Sequence, residues 1–145
     1  MIVFLETDRL ILRRFTADDI GLIIELDSDP EVKRYIDNGA PVDLADLDET
    51  MEWWLRYYEK FDGYGFWAAI EKATDEFIGW FHYRPGHGAA PLEPELGYRL
   101  RRASWGRGFG TEASRALIDK GFREFGVERV YAQTMAVNIA SRRVM

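Results

Sequence analysis

The stretch YRLRRASWGRGFGTEASRALIDKGF, Tyr98 to Phe122, decides how this chain is read. At its centre Gly106-Arg107-Gly108-Phe109-Gly110 alternates glycine with large side chains, and four arginines (Arg99, Arg101, Arg102, Arg107) surround it in a chain of net charge -6. A strand pattern precedes it and a helical pattern follows. That order suits an anion. The first turn of a helix has N–H groups without partners and a partial positive charge. Glycine keeps Cβ atoms away from those amides, and arginines add charge-assisted donors. The same residues also fit a tight turn with solvated arginines, and the spacing alone leaves both readings open.

Two familiar phosphate loops do not fit. A nucleoside-triphosphate loop needs Lys and then Ser or Thr after its last glycine, whereas Gly110 is followed by Thr111-Glu112. A dinucleotide fold needs G-x-G-x-x-G and an acid closing the next strand, whereas this loop is G-x-G-x-G and the next strand pattern runs into Met135-Ala136-Val137-Asn138.

Working outward, Arg9 to Phe15 alternates and predicts a strand. Thr16 with Asp19 makes an imperfect capping box for a helix through Ile20, Ile23 and Ile24 to near Leu26. Asp29-Pro30 predicts the start of a short second helix. Asp43 caps a third whose apolar face is Leu44, Leu47, Met51, Trp54, Leu55 and Tyr58, ending near Phe61. FWAAIEK and EFIGWFHY predict a hairpin turning at Ala73-Thr74-Asp75, and ELGYRL predicts a fourth strand after a glycine- and proline-rich loop over 84–94. Thr111 to about Phe125 predicts a helix buried along Ala113, Leu117, Ile118, Gly121, Phe122 and Phe125; RVYAQTM predicts a fifth strand, and a last helix starts near Asn138. Helices mixed with a hairpin and one strand-helix-strand crossover imply an α/β chain with a mixed sheet covered by helices.

The 145 residues suit one domain, with 47% apolar and 14% aromatic residues to build a core. No apolar run is long enough to span a membrane, and Glu6, Asp8 and Arg9 spoil the N-terminus as a signal peptide. Cysteine is absent, which excludes disulfides and thiolate chemistry. A cytoplasmic location is the expectation. The acidic balance argues against nucleic-acid binding, and no membrane partner is expected. His82 and His87 lack the acidic or cysteine company of a metal site, so no metal is expected. Trp53, Trp54, Trp67 and Trp80 read as core or groove wall.

WGRGFGTEA resembles the coenzyme-A pyrophosphate loop of the GNAT N-acetyltransferases, Arg/Gln-x-x-Gly-x-Gly/Ala, on Trp105-x-x-Gly108-x-Gly110. ETDRLILRRFTADD and MAVNIASRRVM are similar to the branch that acetylates N-terminal amines of ribosomal proteins. The resemblance covers nearly the whole chain. It implies a GNAT-like acyl-CoA N-acyltransferase fold over 1–145, with acetyl-CoA as cosubstrate and a primary amine as acceptor, such as a protein N-terminus or a small molecule. Family domains normally continue through closing strands. The expectation is therefore a C-terminally incomplete domain, or one whose open edge is covered in a homodimer. A non-catalytic acyl-CoA-binding module is the alternative.

The resemblance also implies roles. Arg102, Trp105, Gly106, Arg107, Gly108, Phe109, Gly110 and Thr111 hold the coenzyme's pyrophosphate, chiefly through backbone amides. Tyr98 and Leu100 offer backbone groups to the acetyl and pantetheine portions, and Asn138 contacts the cofactor arm or caps the last helix. Glu95, with Glu93 second, is the carboxylate expected to handle the amine proton; the plain alternative is a solvated strand residue. The family's acidic tyrosine, seven residues after the asparagine, falls here on Met145, which has no proton to give. Ser141 or water takes that role. A thiol with a pKa near about 8.5 is a tolerable leaving group, so strong acid catalysis is not required. Asp27, Asp29, Glu31, Asp37 and Asp43 suggest an acidic acceptor groove for a cationic amine, or else turn and cap carboxylates.

Overall fold

The computed structural model describes residues 1–85, 92–134 and 138–145. Alternating apolar side chains build β1 (Val3–Glu6), β2 (Leu10–Arg14), β3 (Gly65–Glu71), β4 (Glu76–Pro85) and β5 (Pro94–Leu100), which pair antiparallel in chain order as one five-stranded sheet. Five helices accompany them: α1 (Ile20–Asp27), α2 (Arg34–Asp37), α3 (Leu44–Lys60), α4 (Phe109–Glu124) and α5 (Ile139–Val144). Among the described residues no helix is long and apolar enough to cross a membrane.

Both faces of the sheet are covered. On one, Phe15, Phe66, Ala68 and Trp80 pack against Ile23 and Leu26 of α1 and Met51 and Trp54 of α3. On the other, Leu10, Leu12, Trp67, Ala69, Ile78, Phe81 and Leu96 pack against Phe109, Ala113 and Leu117 of α4. β3 lies between the two layers, which explains why every one of its residues is buried. The Tyr58 hydroxyl accepts from the Phe15 amide at 3.0 Å and donates to the Phe66 carbonyl, fastening α3 to the sheet. Burial pushes its pKa up to about 12.

Several sequence expectations differ from the fold. β1 was not anticipated; its burial alternates weakly, with Val3 and Glu6 exposed. α2 starts at Arg34, after a turn that contains Pro30. α4 starts two residues early, at Phe109. Leu44 and Phe122 are 60% and 48% exposed, so neither lies on a buried helix face. RVYAQTM forms no strand over its described residues. It makes one parallel bridge, Glu95 to Tyr131, with Leu96 N to Tyr131 O at 2.8 Å and Tyr131 N to Pro94 O at 3.2 Å. The mixed character of the sheet rests on that bridge. Val130 packs only partly against the core, so little apolar burial holds the segment along β5.

The capping box before α1 is tighter than expected. Asp19 accepts from the Thr16 amide at 2.7 Å and takes both ends of the Arg13 guanidinium, at 2.8 and 3.0 Å. Burial opposes the Asp19 charge, but Arg13 and Thr16 outweigh it and hold the carboxyl below the usual aspartate range. A native pKa below the unfolded one means that the stabilisation is complete above the unfolded value and is lost as pH falls through the native value. Asp19→Asn should therefore cost about 2 kcal/mol at neutral pH. The difference from the unsubstituted chain should shrink in urea titrations carried to acid pH.

Candidate active site

The glycine turn is held from beneath by the start of the chain. Gly108, at φ 81, is the N-cap of α4, a left-handed position that glycine fills without strain. A side chain there would meet only the Arg9 guanidinium at 3.4 Å, and one at Gly106 would meet nothing within 4 Å, so the loop's outer surface is open. The first helical hydrogen bond is Glu112 N to Gly108 O, which leaves the amides of Phe109, Gly110 and Thr111 ahead of the ladder. Glu112 accepts from the Arg9 backbone amide and from Arg9 Nε, at 3.1 and 2.7 Å, and from the Thr7 hydroxyl, while Arg9 Nη1 donates to Arg107 O at 2.8 Å. Burial works against the Glu112 charge, but these donors win and its pKa is lowered. The Phe109 side chain is core, only 1% exposed, with the Arg9 and Arg107 guanidiniums over its ring.

The positive charge around the turn is already matched. Arg99 pairs with Asp27, Arg101 with Glu76, Arg102 with Asp29 and Arg107 with Glu71. The carboxylates proposed for an acidic acceptor groove are engaged in the same way. Asp27 and Asp29 hold those arginines, Glu31 lies 3.6 Å from Arg34, Asp37 lies 2.9 Å from Lys33, and Asp43 caps α3 through the amides of Ala45 and Asp46. Turn and cap duty is what the structure gives them.

Beyond the bridge at Tyr131, no strand among the described residues pairs with the outer edge of β5. Leu100 O, on this stretch, accepts from Trp105 Nε1 at 2.8 Å, which accounts for tryptophan at the loop's first motif position. The Tyr98 ring lies against Gly110, 3.1 Å from where a side chain would begin there. Burial raises the Tyr98 phenol pKa, and the Ser141 side chain close by opposes the rise. Asn138 caps α5, accepting from Ser141 N at 3.3 Å. Tyr98, Gly110, Ser141 and Asn138 thus meet at one place, on the α4 side of β5.

The opposite face of β5 carries Glu95. Directly opposed residues of antiparallel strands share a face, so Arg84 with Glu95, His82 with Gly97 and Trp80 with Arg99 line the side toward α1 and α3. Glu95 Oε1 accepts from His82 Nε2 at 3.1 Å. That bond holds the Glu95 carboxyl below the usual glutamate range, with partial burial opposing and the His82 and Arg84 charges assisting. The ring lies on the Gly97 backbone: a Cβ at 97 would stand 2.7 Å from Nε2 and 3.0 Å from Nδ1. His82 was not singled out for chemistry from the sequence. The clue was register, since a hairpin pairing 84 with 95 puts 82 beside both Glu95 and Gly97. Glu93 lies in the bend before β5, and His87 is outside the described residues.

The loop suits a phosphate bound by amides. A family model for the acetyltransferase (GNAT) domain matches residues 9–145. FsC-acetyl coenzyme A-N(2)-transacetylase of Aspergillus fumigatus is 29% identical over 97% of this chain, which spans 62% of that relative's length. The uncharacterized N-acetyltransferase p20 of Bacillus licheniformis is 31% identical over 97% of this chain and 78% of its own. The ribosomal L7/L12 alpha-N-protein acetyltransferase RimL, solved with coenzyme A, superimposes with a TM-score of 0.80 over 98% of this chain and 80% of its own, at 15% identity, a likeness of fold. The chain belongs to the acetyltransferase (GNAT) domain family.

Proposed function

We propose that this chain transfers the acetyl group of acetyl-CoA to a primary amine, a protein N-terminus or a small molecule, by direct attack in a ternary complex. The observation that carries this reading is the continuity of two features, the open glycine turn at the start of α4 and, beside it, the outer edge of β5, which no strand among the described residues covers beyond Tyr131. The amides of Phe109, Gly110 and Thr111 would hold the pyrophosphate, and the helix dipole would favour its charge. Because the nearby arginines are paired, the backbone carries the recognition. The edge of β5 from Gly97 to Leu100 would run alongside the pantetheine arm, with Trp105 releasing Leu100 O as the arm enters. A backbone N–H on this edge would meet the charge that develops on the carbonyl oxygen. The relative named for acetyl coenzyme A and an N(2) acceptor supports both the donor and the nitrogen acceptor.

The hydroxyls of Tyr98 and Ser141 would lie near the departing sulfur. A thiolate needs little help, so their part is to orient more than to protonate.

Calorimetric titration with acetyl-CoA should give binding in the micromolar range or tighter, and Gly108→Asp should abolish it. A side chain has room there, although the left-handed backbone at φ 81 strains any residue but glycine, and an aspartate would place its own carboxylate on the amides meant for phosphate. Adding an amine panel should release free thiol; binding without release would turn the reading to an acyl-CoA-binding module. Ser141→Ala should lower kcat by less than about tenfold, near the low end for acid–base groups, with acetyl-CoA affinity unchanged in the same titration.

A further inference from the structure

The Glu95 carboxylate is not free to act alone, because one of its oxygens is occupied by His82 Nε2 at 3.1 Å. An ionised carboxylate can only accept, so Nε2 carries the proton of that bond. In the neutral imidazole this leaves Nδ1 bare, with its lone pair as the basic site. No hydrogen bond to Nδ1 is found among the described residues.

The ring is built into place. Gly97 is the residue opposite it on β5, and the missing side chain there lets the imidazole lie on the strand backbone. Trp80 stacks on it at 5.9 Å between centroids, and Phe66 meets it edge-on at 5.6 Å. The side chain is 14% exposed, against 24% for Glu95, so it is fixed by packing yet reachable. Gly97 is also the first residue of β5 past the bridge to Tyr131, where the outer edge opens. On the other face of that stretch stand the neighbouring hydroxyls of Tyr98 and Ser141. A thioester lying along the open edge would have an imidazole on one face and hydroxyls on the other.

We propose that His82, through Nδ1, is the base of the acetyl transfer, and that Glu95 is a positioning residue that fixes the tautomer and supports the imidazolium. This rests on the acetyltransferase reading above. His82 Nδ1 takes one proton from the acceptor ammonium. The freed nitrogen lone pair forms the C–N bond to the thioester carbonyl carbon, and the C–S bond breaks with its electron pair going to sulfur. A second N–H proton passes to that sulfur, giving the amide and the free thiol, and the imidazolium returns its proton to water. The charged and titratable groups facing the ring are Glu95 and Arg99 from β5, Arg84 from β4 and Tyr57 from α3 by way of Phe66. Asp27 of α1 holds Arg99, and the Arg84 guanidinium lies over the Trp53 and Phe66 rings.

The test uses the full chain, acetyl-CoA, and three amines: a tetrapeptide with a free α-amine, a polyamine and an arylalkylamine. His82→Gln should lower kcat about 100-fold or more and remove the acidic limb of the pH profile. Glu95→Gln should cost about tenfold and keep that limb, since the amide oxygen still accepts from Nε2. Both should bind acetyl-CoA as the unsubstituted chain does. The reverse pattern, with the limb lost in Glu95→Gln and kept in His82→Gln, would make Glu95 the base and overturn the proposal. Imidazole nitrogen NMR on the alkaline side of the profile gives a readout independent of turnover. The His82 signal, assigned by its loss in His82→Gln, should show the Nε2-protonated tautomer; the Nδ1-protonated form would overturn the proposal. Acetyl-CoA binding without thiol release from any of the three amines would overturn the transferase reading, and with it the role of His82 in it.

Discussion

Every backbone amide and carbonyl in a sheet needs a partner, and among the described residues β5 finds one strand-like bridge on its outer side. Leu96 and Pro94 exchange bonds with Tyr131, and beyond that no described strand pairs with the edge. The glycine turn at the end of β5, the tryptophan that takes up Leu100 O and the crossing of α5 past Tyr98 are all arranged around this departure. A sheet that closed fully here would be a better sheet with no room beside it. The antiparallel ladders from β1 to β5 supply the rigidity that lets one edge stay open.

Charge is arranged by the same economy. An acidic chain gathers four arginines around its glycine turn, then gives each one a carboxylate. These ion pairs join parts distant in sequence: Asp27 and Asp29 from the end of α1 to residues 99 and 102, Glu71 of β3 to Arg107, and Glu76 of β4 to Arg101. The exposed ones, such as Arg101 with Glu76, contribute little energy each, whereas Asp27 and Glu71 are buried and need their arginines to stay charged. Their use is geometric, since they set where the turn stands relative to the sheet and to α1. The local field at the turn then comes mainly from the α4 amides, which the helix holds in a fixed direction.

Much of this was legible in the sequence. The amphipathic repeat of α3, the Asp43 cap, the Thr16–Asp19 box and the β3–β4 hairpin are local features, decided within a few residues, and local chemistry reads well. The glycine turn was legible for the same reason. What could not be read was partnership across distance. Nothing near Arg107 marks Glu71 as its partner, and nothing near Glu112 points to Thr7 and Arg9. Glu95 stood out as a carboxylate on the right strand, but its bond to His82 depends on register, which a one-residue slip would have reversed. The fifth strand failed for a related reason: RVYAQTM has the composition of a strand, but whether it pairs depends on the neighbour.

The clasp of Thr7 and Arg9 onto Glu112 spans more than 100 positions of sequence. A chain made from its N-terminus must display those two side chains, and the strand that follows them, long before their partner exists. The ladders of β2, β3 and β4 can assemble on a nascent chain while the segment that seats the glycine turn is still unmade. The glycine turn would then take shape late, and lose its shape when the contact of Thr7 and Arg9 with Glu112 opens. Contacts of such separation slow folding because their closure entropy comes before their reward. In this fold two residues made early wait for one made more than 100 positions later, and the glycine turn is where they meet.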